Sequence, residues 1–274
     1  MDPFLDIAVI LLPLAYLAAA GLYGAIFFQR HTGADRFASP LLWGTLVLHA
    51  VYLVALTLRW SQFPATTVSQ ALSVVAFAVA VVYALVEWLG NERSTGFWLV
   101  AMVFLLELAS ALLRRPLPPH REIFESPLFA THVSLALLGY AAFVIAAAYG
   151  FLFLELYREL KGGRFSTFYG KLPPLEVLER MMVGALTVGT ASLLGAVVFG
   201  AVWAHELYPD DWVTDPKILT TLAILIFYAV ALSLRRLQHW KGRQTAVASL
   251  AGLGAILISL FAINFFFSDF HGFL

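Results

Sequence analysis

Histidine is the residue of this chain best suited to chemistry. There are seven (His31, His49, His120, His132, His205, His239 and His271) and no cysteine. Without cysteine there is no disulfide framework, no thiolate metal site, no iron–sulfur cluster and no thiol–disulfide relay. Neutral imidazoles therefore stand out as the metal or cofactor ligands. Two sequence neighbourhoods give them context. Ser126-Pro127 has the form of a helix start, with Ser as N-cap and Pro at the first helical position, which puts His132 between one and two turns into the helix. The stretch from Trp203 to Lys217 carries Trp203, His205, Tyr208 and Trp212 and ends in Asp215-Pro216-Lys217, a second helix start with Asp215 as N-cap.

The elements that must position these residues are membrane spans. Of 274 residues, 61% are hydrophobic and only 12% charged, about half the charge of an ordinary soluble domain. Net charge is zero, so no nucleic-acid partner is indicated. A bilayer core takes about 20 mostly apolar residues per helix. Eight segments meet or approach that length, at about 7–28, 40–58, 63–86, 95–113, 127–154, 181–204, 218–234 and 244–268. They are apolar all round, unlike the alternating strands of a β-barrel. The expectation is an all-α polytopic integral membrane protein, a single membrane domain over 1–274. The first segment follows Asp2 and Asp6 with no preceding Lys or Arg, so it reads as a retained span rather than a signal peptide. Twelve of the seventeen Lys and Arg fall in the odd-numbered loops. The positive-inside rule then makes those loops cytoplasmic and both termini extracytoplasmic.

This topology sorts the histidines. His31 and His239 are cytoplasmic. His120, His132, His205 and His271 lie at the outer face. His49 lies near the middle of the second span, ~13 Å from either end. A titratable group at that depth is costly and marks either function or a hydrogen bond across a helix interface. Glu107, two turns from the outer end of the fourth span, is expected to pair with an Arg of the following loop (Arg114, Arg115 or Arg121). For any single outer-face histidine, a polar interface role is an alternative to ligation. Two outer imidazoles from separate helices could hold a six-coordinate haem or another metal. An aromatic loop between them suits a large flat apolar ligand with acidic edges, and Lys217 could meet such an edge.

Taken together these residues resemble the cytochrome c assembly family of haem-handling membrane proteins. The likeness is to the haem-delivering subunit of the system II cytochrome c synthase and its short eight-span relatives. That family's outer loop has the form Trp-Ala-x-Glu … Trp-x-x-Asp-Pro-Lys. Here Trp203-Ala204, Glu206, Trp212 and Asp215-Pro216-Lys217 match it. His132 and His271 match the two histidines that bracket the loop, and Asn264 also matches. His49, Leu53, Arg59-Trp60 and Pro64 resemble the second span, and Trp240-Lys241-Gly242-Arg243 resembles the short relatives. The departures are Tyr208 and Thr214 where the family usually has Trp, Pro209-Asp210-Asp211 in place of small and aromatic residues, and Ser233 where the full synthase has an inner histidine.

The resemblance implies a multi-pass protein of the plasma (inner) membrane that presents haem b at the outer face for attachment to apocytochrome c, beside a second membrane subunit. His132 and His271 would be the axial ligands. Trp203, Tyr208 and Trp212 would pack on the ring, Asp215 and Pro216 would shape the loop, and Lys217 would contact a propionate. His49 would be one ligand of an inner site that lacks its partner. The chain would be at most a non-thiol subunit of a haem lyase, because both thiols must come from the substrate. Two alternatives stand beside this: a haem-biosynthesis-linked regulatory or haem-transport relative, and a non-catalytic accessory subunit of a larger membrane complex.

Overall fold

The computed structural model describes residues 3–28, 33–90, 93–114, 126–163, 169–207, 215–237 and 240–259. Among them are eight helices: α1 (Pro3–Phe28), α2 (Asp35–Trp60), α3 (Val68–Gly90), α4 (Gly96–Leu112), α5 (Pro127–Gly162), α6 (Leu175–Leu207), α7 (Pro216–Arg236) and α8 (Gly242–Ile258). All but α4 and α8 are long and apolar enough to cross a membrane; those two have 17 residues each. At 1.5 Å per residue, α4 covers about 26 Å of a core of roughly 30 Å. The last predicted span runs on past residue 259, outside the described residues. The protein is an all-α, multi-pass membrane protein.

α5 and α6 outrun the spans expected from hydropathy the furthest. α5 continues from residue 154 to Gly162, and α6 starts at Leu175 rather than Met181. The added turns are rich in charged residues that favour helix in water. Arg158 pairs with Glu155 at 2.5 Å. Hydropathy finds the membrane-embedded part of a helix and overlooks a polar extension of it. α5 stops where Gly163 takes a left-handed backbone, φ 63°, a conformation that costs glycine little.

The helices form two compact units. The first holds α1 to α4, with α1 packed on α2 and α4, and α3 likewise on α2 and α4. The second holds α5 to α8. There α5 packs on α6 and α8, and α7 packs on the same two helices.

In the second unit α5 is enclosed: every residue from Ala141 to Gly150 is buried. Its Ala-rich sequence explains why. Small side chains let neighbouring backbones approach closely, which is how helices associate where no hydrophobic effect drives them together. A Cβ on Gly139 would stand 3.3 Å from the Gly189 carbonyl oxygen, and one on Gly150 would stand 3.1 Å from that of Ala246. α7 and α8 meet at Gly252, where a Cβ would collide with the Tyr228 ring. Tyr228 is stacked on Phe143 at 4.1 Å between centroids and has no room to retreat. Gly252→Val is therefore expected to destabilise the protein by about 1–3 kcal/mol, read as an earlier thermal unfolding transition in detergent. Gly21→Ala, at a site with open space around it, is expected to be neutral or slightly stabilising.

Candidate functional site

In the second unit, Ser126 precedes α5 in an extended conformation and Pro127 takes the first turn. His132 follows in the second turn, on the side facing α6. Its Nδ1 lies 2.7 Å from the Ala196 carbonyl oxygen. A carbonyl can only accept, so Nδ1 carries the proton, and the neutral ring then has its lone pair on Nε2. Metal-binding imidazoles are commonly oriented in this way, the second nitrogen donating to a backbone carbonyl.

The ring rests on Gly200, where a Cβ would stand 2.5 Å from Nδ1. It lies nearly parallel to Trp203, at 6.4 Å and 22°. Trp203 is buried and packs on Phe129 at 5.2 Å. Ala196, Gly200 and Trp203 are spaced four and three residues apart, so they share one face of α6. Sequence reading picked out His132 and Trp203 but missed Ala196 and Gly200. The small–x–x–x–small spacing before the tryptophan was the available signal.

Asp215 caps α7. Its side chain accepts from the Lys217 backbone N–H at 2.7 Å, and Pro216 occupies the first turn. Lys217 is buried, and its Nζ donates to Oγ of Ser259, the C-cap of α8, at 3.0 Å. Ser259 was not anticipated, since nothing local marks it as a lysine partner. His205 and Glu206 are exposed at the end of α6. Tyr208, Trp212, Asn264 and His271 lie outside the described residues.

The family profile described as "Cytochrome C assembly protein" matches residues 36–271. The chain belongs to that family. Relatives align over nearly full length on both sides. Protein HemX of Brevibacillus brevis is 24% identical over 257 residues, 93% of this chain and 94% of the relative. Protein HemX of Bacillus subtilis (strain 168) is 23% identical, covering 94% of each. Cytochrome c biogenesis protein CcsA of Porphyra purpurea is 22% identical, covering 92% of this chain and 91% of the relative. Membership of the cytochrome C assembly family supports a role in cytochrome c biogenesis, and with it the handling of haem.

The first unit of this family member contains a second polar cluster. His49 is fully buried in α2. The Tyr16 hydroxyl of α1 lies 3.0 Å from its Nδ1, and Ser73 Oγ of α3 lies 2.9 Å from its Nε2. Ser73 in turn donates to Glu107 Oε1 of α4 at 3.2 Å. One cluster thus draws on all four helices, and both ring nitrogens of His49 have partners within it. In this arrangement His49 has no lone pair to offer a metal.

The expected Glu107–arginine pair does not form with Arg114. That residue binds Asp6 of α1 at 2.9 Å, while Glu107 faces the unit's interior. They are seven residues apart, about 10 Å along a helix, and only the inward position brings Glu107 to His49. Arg115 and Arg121 lie outside the described residues.

Gly200→Ala places a methyl group against the His132 ring, and the imidazole is expected to lose its bond to Ala196. In histidine-labelled protein, the NMR signals of His132 should move while those of exposed His205 stay.

Proposed function

We propose that this chain presents haem b at the extracytoplasmic face of the plasma membrane, for covalent attachment to an apocytochrome c. In this reading eight spans place both termini outside, and a second membrane subunit completes the complex. The observation that carries it is the fixed tautomer of His132. Held by the Ala196 carbonyl and seated on Gly200 beside Trp203, the neutral ring is fixed in the tautomer whose lone pair is on Nε2. A haem-binding imidazole needs that arrangement, and a merely amphipathic interface residue does not.

His132 and His271 would together hold the haem iron, and Asn264 belongs to the same segment as His271. Trp203 with Tyr208 and Trp212 shields the macrocycle. Asp215 and Pro216 set the start of α7 and so the path of the preceding loop. Lys217, anchored to Ser259, supplies positive charge for a propionate. Bound haem would supply vinyl groups, across whose double bonds the S–H groups of the apocytochrome would add. This chain contributes binding and orientation and has no thiol of its own.

The test is a reduced-minus-oxidised spectrum of protein purified from haem-replete cells. Haem bands are expected in the wild type. His132→Ala and His271→Ala are each expected to lower haem content at least several-fold while the protein stays folded. A folded wild type without haem bands would sink the reading.

A second reading, haem supply or its regulation, is favoured by Ser233. This residue is exposed and its hydroxyl bonds back to Ala229 of its own helix at 2.8 Å, so it provides no substitute for the inner histidine of the full synthase. Deleting the gene separates the two. Loss of covalent c-type cytochromes supports attachment, whereas normal cytochromes with altered haem precursors supports supply.

A further inference from the structure

The cluster around His49 has a charge problem that its hydrogen bonds do not solve. Ser73 has one hydroxyl hydrogen, and it points to Glu107 Oε1. The contact between Ser73 and His49 must then be an Nε2–H donating to Ser73 Oγ, and in a neutral ring this leaves Nδ1 to accept from the Tyr16 hydroxyl. Every hydrogen in the chain runs toward the carboxyl group. The second carboxyl oxygen, Oε2, is buried without a hydrogen-bond partner and lies 3.7 Å from His49 Nε2.

Beside a neutral His49, an ionised Glu107 would leave this site one negative charge in the interior of a membrane helix unit. Isolated buried charge is among the costliest features a protein can carry. Among the described residues, the groups that face the site bring no cation. α1 brings Tyr16, α2 brings Tyr52 next to His49, and α3 brings Ser73 and Phe77. Arg114, beyond the end of α4, is engaged by Asp6 near the unit's surface. The other buried carboxylate of the unit shows the contrast. Glu87 accepts from the Tyr23 hydroxyl and is paired with Arg93 at 3.0 Å.

We propose that Glu107, supported by Ser73, His49 and Tyr16, is a proton-binding site of the α1–α4 unit. A proton from water adds to a lone pair of Oε2. No bond within the protein breaks, the charge of the site goes from minus one to zero, and the Tyr16–His49–Ser73–Glu107 chain keeps its direction. The site acts as a latch across four helices. With the proton in place all four are joined by a neutral network. Without it the unit holds an unpaired anion, and its packing loosens. Any rearrangement that opens the cluster to water is thereby coupled to proton release. This inference is independent of the haem reading and its test needs no haem.

Infrared spectra of the purified protein in lipid nanodiscs read the site directly. The wild type is expected to show the carbonyl stretch of a protonated carboxylic acid. Glu107→Gln should remove it and Glu87→Gln should not. Ser73→Ala, which deletes the donor to the acid's carbonyl oxygen, should shift the band to higher frequency. That shift keeps the proposal testable if the Glu107 variant does not fold. A second measurement is thermal unfolding against pH. The wild type should lose stability as alkali strips the proton, with a steeper slope than Glu107→Gln, whose amide cannot ionise. A folded wild type with no acid band, a band that survives Glu107→Gln, or equal pH slopes in the two proteins would overturn the proposal.

Discussion

Inside a bilayer, every polar group must find its partner within the protein. The structure follows from this constraint. It turns the backbone into helices, and it makes each polar side chain within a span a structural commitment. It also removes the hydrophobic effect as the force between helices, so close approach and internal hydrogen bonds have to do that work. The two units answer the constraint differently. The unit of α5 to α8 relies mainly on closeness. Gly139, Gly150 and Gly252 sit where a side chain would meet a neighbouring backbone or ring. The unit of α1 to α4 relies more on polar bridges. Besides the His49 cluster, Ser69 and Ser110 exchange hydrogen bonds with each other's backbone carbonyls at 2.8 and 2.7 Å, tying α3 to α4.

This difference bears on function. Close packing around α5 gives a rigid frame, and His132 stands on it with its ring held from two sides. A side chain held in this way is oriented before anything binds, which under the proposed function lowers the cost of binding. The polar clusters of the first unit are a different kind of element. Their strength depends on charge and protonation, so they are suited to change. Under the two proposals, one unit would hold a ligand and the other would respond to protonation.

Much of the site could be read from residue types. Asp215 and Pro216 start α7 as their identities predict, because capping is decided within one turn of chain. Ser126 and Pro127 likewise place His132 in the second turn of α5. What could not be read was the partner of each buried polar group. The arginine following Glu107 in sequence was the natural guess, yet Arg114 went to Asp6, more than a hundred residues away. The choice depended on which face of α4 turned inward, and a helix apolar all round carries no periodicity to reveal it.

By itself, the sequence determined the class of protein, the approximate limits of the eight helices found among the described residues, and the resemblance to the family. All of these rest on composition and on patterns local to the chain. Only the tertiary structure decided that the Ala196 carbonyl sets the tautomer of His132, that Gly200 makes room for its ring, and that His49 and Glu107 belong to one cluster drawn from four helices. Hydropathy records how much a segment prefers lipid. Which neighbour a side chain meets is set by the rotation and register of whole helices, and those emerge only when the helices pack.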